Sequence, residues 1–341
     1  MHDSPFVSRT AARWLGALLL AACSIVISLS AQTPPLALVS TAWSPFTNEP
    51  GQPRFALDLV EAALGRFGVS AKTTIVSADQ FTPSLLGRRF DGSAAAWKDP
   101  EREGVLIFSQ PYLENRLVLV GRHGADVSAK GLTDLTGKRI ALVGGYSYGG
   151  VIDKAGPVLV LSRSEEDSLA RLLKGEVDYT LMDELVVEYI QRNHPQESAK
   201  RLQIGVTSLI TRELFLAVRR ALPNAESIVS RFNAQLRDMI ADRTYHRLLH
   251  VDWIQADING DGIPENVPRT DQTGPSAPTH SYALFTTPQP KSALQTPGKS
   301  GFYVGGTIYS DWASVPARYK SSFSQDPNPG RSTASIFRFT W

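Results

Sequence analysis

Cysteine is almost missing from this chain: Cys23 is the only one in 341 residues. No intramolecular disulfide can form and no cysteine-ligated metal site can be built, so stability has to come from packing. Charge of one sign is missing too. Thirty-five Lys and Arg stand against 33 Asp and Glu, a net charge of +2, and no basic stripe with interleaved aromatics appears, which argues against nucleic acid as a partner. Several catalytic signatures are also absent: HExxH, GxSxG, the P-loop and a cysteine–histidine pair. The six histidines are scattered, and only His246 and His250 stand four residues apart. Such a pair at a helix end is more often a solvated cap than a pair of metal ligands.

Long apolar runs are confined to the N-terminus. Arg9 and Arg13 introduce a run from Trp14 to Leu29, which is shorter than the ~20 residues of a bilayer span. Residues 1–31 read as a signal peptide that takes the protein to the periplasm. Two processing routes fit. Leu20-Ala21-Ala22-Cys23 resembles the lipobox of bacterial lipoproteins, with Cys23 lipidated as a membrane anchor. The alternative is cleavage near Ser28-Leu29-Ser30-Ala31, and the apolar residues 24–29 after the cysteine suit it better.

What remains is globular in composition, 42% hydrophobic and 20% charged. From Leu36 the pattern alternates strand and helix, the rhythm of an α/β fold. "LALVSTAW" reads as a strand, and "FALDLVEAALGRFG" places Leu57, Val60, Leu64 and Phe67 on one helical face before Gly68. "KRIALVGGYSYGG" reads as a buried strand feeding a glycine-rich turn. That turn is either a structural bend or a place where Tyr146, Ser147 and Tyr148 offer N–H groups and a hydroxyl to a carboxylate at a helix N-terminus. Ile228, Phe232, Leu236 and Met239 form the stripe of a later helix.

The ordered series of segments resembles the bacterial extracellular solute-binding proteins, family 3, over about residues 36–250. "STAWSPF", "FALDLVEAALGRFG" with Asp58, "LLGRRFDGSAAA", "PEREGVLIFSQPYL", "LTGKRIALVGGYSYG" and "LLKGEVDYTLMDE" each look like a family segment, in order. The resemblance implies an α/β fold of two lobes, the type II periplasmic-binding arrangement. It divides the chain into lobe one (36–121), lobe two (125–205) and a return to lobe one (211–252), with hinge crossings near Gly121–Ala125 and Gly205–Thr211. It also implies capture of an amino acid or related amine-carboxylate between the lobes by a monomer, for the membrane subunits of an ABC transporter, with no covalent chemistry and no cofactor. Residue by residue, it places Arg102 on the ligand carboxylate, Asp183 on the ligand ammonium, Ser147 on the same carboxylate from lobe two, and Trp43 on the ligand side chain, with Tyr146 beside Ser147. An arginine kept for the ligand would be dispensable to the fold itself. Two other readings stay open: a ligand sensor for a membrane partner, and a cyclohexadienyl-dehydratase-like enzyme with Glu184 as its acid.

The chain departs from the family at Trp97, which stands where a hydroxyl residue usually helps hold the carboxylate. An indole offers one N–H and much volume, so Trp97 is expected to make the ligand unusual. Further on, "DINGDGIPE" sets Asp257, Asn259 and Asp261 at the 1, 3, 5 spacing of a calcium loop. Pro268 replaces the usual closing Glu, and Glu265 is the substitute donor in a candidate structural calcium site at 253–268; a metal-free Asx turn is the alternative. Residues 269–300 read as a Pro- and Ser-rich linker. Residues 301–341 read as a small β-rich module with a turn at Gly305-Gly306 and many aromatics, among them Phe302, Tyr303, Trp312, Phe337, Phe339 and Trp341.

Overall fold

A computed structural model describes residues 34–150, 152–154, 156–278, 281–283 and 300–321. The expected signal segment with Cys23, residues 284–299, and residues 322–341 with Phe337, Phe339 and Trp341 lie outside the described residues.

The first half of the fold alternates β1 (Leu36–Thr41), α1 (Phe55–Gly65), β2 (Ala71–Val76), α2 (Ala78–Leu86) and β3 (Gly92–Trp97). In α1 the expected apolar face is real: Leu57, Val60 and Leu64 are fully buried, and Gly68, at φ 78°, turns the chain after the helix. A single turn, α3 (Pro100–Glu103), then leads to β4 (Leu106–Phe108) and β5 (Leu113–Arg122). The second half comprises β6 (Arg139–Val143), β7 (Val158–Ser162), α4 (Glu165–Leu173), β8 (Tyr179–Asp183), α5 (Glu184–Asn193) and α6 (Pro195–Arg201). The chain returns through β9 (Leu202–Arg219) into α7 (Ala225–Ala241) and α8 (Thr244–Leu249). Phe232, Leu236 and Met239 of the α7 stripe are fully buried.

The strands form one path, β2-β1-β3-β9-β5-β8-β6-β7, with β4 also paired to β9. Pairing is parallel within β1–β2 and within β6–β7 and β6–β8, and antiparallel wherever β5 or β9 takes part. β9 pairs with β3 near Leu214–Val218 and with β5 from Leu202 to Leu214, while β5 reaches β8 only from Leu117 onward. Two strands therefore carry the chain from one half to the other. Register shifts flank Val118 where β5 passes across, and bulges of this kind bend a strand and strengthen its twist. Gly121 and residues 205–211 lie inside these strands, not in loops.

After α8 the chain builds a separate small sheet from β10 (Trp253–Ala256), β11 (Glu265–Pro268), β12 (Tyr282–Ala283), β13 (Phe302–Val304) and β14 (Thr307–Tyr309), in the order β12-β10-β11-β13-β14. The Gly305-Gly306 turn joins β13 to β14, with both glycines at positive φ. Trp253, Phe302, Val304 and Val315 form its own apolar cluster. The first residues of the expected linker belong to this unit: Thr273 is buried and its N–H donates to the Tyr319 carbonyl at 2.7 Å.

Gly92 opens β3 against β9 so closely that a Cβ there would lie 1.9 Å from the Ala217 carbonyl oxygen. Gly92→Ala should therefore lower stability by about 1–3 kcal/mol through forced backbone movement. Urea unfolding checks this, and an unchanged midpoint would refute the close-packed register.

Candidate ligand-binding cleft

Arg102 reaches its place because "DPER" is a helix start. Asp99 is the N-cap, its Oδ1 accepting the Arg102 N–H at 2.9 Å, and Pro100 takes the first helical position. The turn swings the Arg102 side chain inward until it is only 2% exposed. There its Nη1 donates to the Trp97 carbonyl at 2.8 Å and its Nη2 to Thr82 Oγ1 at 2.9 Å. Its Nε forms an ion pair with Asp99 Oδ2 at 3.1 Å, and the guanidinium lies 5.4 Å from the Phe81 ring centre. Burial pulls its pKa down, and the Asp99 charge works against that pull. Contrary to the expectation of an arginine reserved for ligand, Arg102 also ties three parts of the first half together.

The facing wall is the loop after β6. Among the described residues no α-helix stands between β6 and β7, where a helix N-terminus was expected; a 3₁₀ turn lies at Ile152–Lys154. The shortened connection leaves Tyr146, Ser147 and Tyr148 in irregular backbone. Gly145 is the point of closest approach: its φ is 84°, and a Cβ would lie 2.6 Å from the Ala78 carbonyl at the start of α2. Two polar contacts cross the gap. The Tyr146 hydroxyl lies 3.1 Å from Thr41 Oγ1, and Ser147 Oγ donates to Asp99 Oδ2 at 2.6 Å.

Aromatic rings fill the space between. Trp43, Trp97 and Tyr146 meet edge-on with centroids 5.7–5.9 Å apart, and Tyr148 closes on Trp97 at 5.4 Å. The residual cavity, lined by Thr41, Trp43, Trp97, Arg102, Tyr146 and Ser147 among others, measures about 30 Å³. Small-molecule sites typically run to ~300–1,000 Å³, so the space between these rings is smaller than such a site. An open groove of about 500 Å³ adjoins it, sharing Tyr146 and Ser147 and bounded by Asp99, Glu101 and Gly144–Gly150. The Trp43 indole N–H is buried without a hydrogen-bond partner.

Asp183 sits behind this wall. It is fully buried and N-caps α5: Oδ1 accepts the Leu185 N–H, and Oδ2 accepts from Asn115 Nδ2 and the Arg116 N–H. Asn115 in turn accepts the Trp97 indole N–H at 2.8 Å. The one donor of Trp97 thus serves the protein, and Asp183 acts on the cleft through Asn115 and Trp97. Glu184 faces Arg116 at 3.6 Å.

Three side chains escaped the sequence reading. Asp99 stands in "DPER" just ahead of Arg102 and caps its turn. Arg212, from β9, donates to the Lys98 carbonyl and lies 5.9 Å over the Trp97 ring. Glu165, first residue of α4, is 7% exposed, and its Oε2 is buried without a partner. Burial pushes the Glu165 carboxyl up to about 8 and the Asp183 carboxyl up to about 7. Only the fold brings the Glu165 carboxyl close enough to act on the Tyr146 and Tyr148 hydroxyls.

The residues of the expected calcium loop form the turn between β10 and β11. Asp257 accepts the Gly260 and Gly262 N–H groups at 2.7 and 2.8 Å, Asn259 accepts that of Asp261, and Asp261 accepts that of Ile263. Glu265 accepts the Ile258 N–H at 2.9 Å. The oxygens are directed at the loop's own amides, and among the described residues no three His, Cys, Asp or Glu are grouped to hold a metal. The side chains as placed do not converge on an ion.

Two α/β halves strung on a pair of crossing strands, with the candidate site in the seam, are the architecture of a two-lobed solute-binding protein of the type II periplasmic arrangement. The chain belongs to the bacterial extracellular solute-binding proteins, family 3, whose sequence profile matches residues 37–256. It is 26% identical over 197 residues to ABC transporter arginine-binding protein 1 of Escherichia coli K12, covering 57% of this chain and 79% of that protein. A mutant of the T. maritima protein ArgBP aligns with a TM-score of 0.53 and 26% identity, over 63% of this chain and 93% of the other. An ancestral arginine-binding protein bound to arginine aligns with a TM-score of 0.55 and 23% identity, over 64% and 98%, a likeness of fold.

Two expectations follow from the site and the loop. Glu165 and Asp183 keep protons in the native state that the unfolded chain has already lost, from the ordinary values of 4.5 and 3.8 up to about 8 and 7. Stability from these groups therefore falls as pH rises through that window. Glu165→Gln should flatten the fall, read as melting temperature against pH; an equally steep profile would refute the buried acid. A loop closed by its own amides should melt at one temperature in calcium and in chelator, and a calcium-dependent rise would reinstate the ion.

Proposed function

We propose that the protein captures an amino acid, with a cationic amino acid such as arginine as first candidate, in the periplasm as a monomer, and presents it to the membrane subunits of an ABC importer. One observation carries this reading: a carboxylate, that of Asp99, is seated between Arg102 and Ser147 across the gap. That seat suits a ligand α-carboxylate, since a guanidinium and a hydroxyl converge on one oxygen. Trp43, Trp97 and Tyr146 are the surfaces for the ligand side chain, and the free Trp43 N–H is an added donor. The rings of Trp43, Trp97 and Tyr146 suit a ligand that brings positive charge, because a cation is drawn to an aromatic face. The arginine-binding names of the relatives point the same way.

Binding needs no bond making. The ligand bridges the lobes, and its preference for the closed arrangement shifts the hinge equilibrium. The closed form is what an importer would distinguish from the open one.

A calorimetric and thermal-shift panel of amino acids, polyamines and organic acids tests this. A cationic amino acid should bind and raise the melting temperature; a panel in which no amino acid binds would refute the reading. Arg102→Ala should abolish that ligand response. It should also destabilise the free protein, by about 1–3 kcal/mol, because the buried guanidinium's bonds to Trp97 and Thr82 and its packing on Phe81 are lost. Normal ligand binding by Arg102→Ala would end the carboxylate role.

A further inference from the structure

The seat between Arg102 and Ser147 already has an occupant from the chain itself. Asp99 spends Oδ1 on capping α3 and leaves Oδ2 to Arg102 Nε at 3.1 Å and Ser147 Oγ at 2.6 Å. The other arms of Arg102 are held by the Trp97 carbonyl and the Thr82 hydroxyl. Each nitrogen of this guanidinium thus faces an oxygen of the protein, although the Nε–H pairs with Asp99 by charge and proximity and not by an aligned hydrogen bond. Close by stands Arg212, whose buried Nε has no hydrogen-bond partner. Asp99 is the charge that most offsets the burial of Arg212.

We propose that Asp99 is a specificity-determining residue: a resident carboxylate that the ligand's α-carboxylate displaces from Arg102 and Ser147, and that turns toward Arg212 as it leaves. The proposal rests on the cleft being an amino-acid site and names what sets its selectivity. A ligand carboxylate reaches Arg102 and Ser147 only by displacing the Asp99 ion pair and its bond from Ser147, so its net contribution is reduced. Amines without a carboxylate have nothing to displace. Ligands with a second carboxylate meet the displaced negative charge as well, and like charges at close range repel. The site therefore ranks solutes by their positive groups. The same bridge also fastens lobe two to lobe one in the absence of any solute, because Asp99 and Ser147 belong to opposite walls.

Asp99→Asn tests this, since an amide oxygen still caps a helix but carries no charge. Calorimetry compares the binding amino acid, arginine first, with its decarboxylated amine, agmatine for arginine. The amino acid should bind about tenfold more tightly to Asp99→Asn than to the natural protein, the scale of one charge-assisted contact, while the amine changes by less than about threefold. An unchanged amino-acid-to-amine ratio overturns the proposal. Small-angle scattering of the solute-free protein supplies a readout that needs no ligand. Asp99→Asn and Ser147→Ala, which spares the cap and Arg102, should both enlarge the radius of gyration. Where an amino acid binds, the ratio decides. Where none binds either protein, scattering decides: an expansion keeps Asp99 as the bridge while the amino-acid reading fails, and no expansion in either variant overturns the bridge too.

Discussion

The antiparallel pairing of β5 with β9 is the constraint on which the rest depends. These two strands are the covalent and hydrogen-bonded link between the halves, from Leu113 opposite Leu214 to Arg122 opposite Leu202. Every element of the cleft is placed by reference to them: β3 is zipped to one end of β9 and delivers Trp97, while β8 is zipped to β5 and delivers Asp183. A two-strand link with register shifts at Val118 resists separation along the ladder far more than it resists twisting and bending. That asymmetry suits a protein whose halves must part and close without losing register.

Within the seam, unmet electrostatic demand organises the side chains. A guanidinium buried as deeply as Arg102 needs compensation, and the structure supplies acceptors in Trp97 and Thr82 for its two Nη atoms and the Asp99 charge beside its Nε. Asp99 passes the demand across the gap to Ser147. Trp97 fills the volume that a small hydroxyl residue would leave, and Asn115 and Asp183 hold its indole in place. Charge and volume are thus balanced by the protein's own groups. On the proposed reading a ligand carboxylate would compete with Asp99, and that competition would make the seat selective.

Much of the fold was legible in the sequence because periodicity reports burial directly. The α1 face, the α7 stripe, the Gly305-Gly306 turn and the strands around Leu38 and Ile140 follow from local pattern and turn chemistry. The helix expected after "VGGYSYGG" was not there, since a glycine-rich run with few helix formers has too little to hold a helix across so short a connection. The extent of β5 and β9 was also illegible: Gly121 and Gly205 look like breaks, and only neighbouring strands on both sides keep them extended.

For the site, the sequence by itself determined the inventory and the order. It carried a charged turn holding an arginine, a tryptophan just before it, a serine and tyrosines after a second-half strand, and an acid closing a buried strand. Those features are local, set by capping, spacing and hydrophobic pattern. Tertiary structure decided who meets whom. It turned Asp99 from a cap into the partner of both Arg102 and Ser147, withdrew Asp183 behind Asn115, brought Arg212 over Trp97, and buried Glu165 without a partner. Contacts between residues 48 or 68 positions apart leave no trace in local pattern, because they exist only once distant segments are packed against each other.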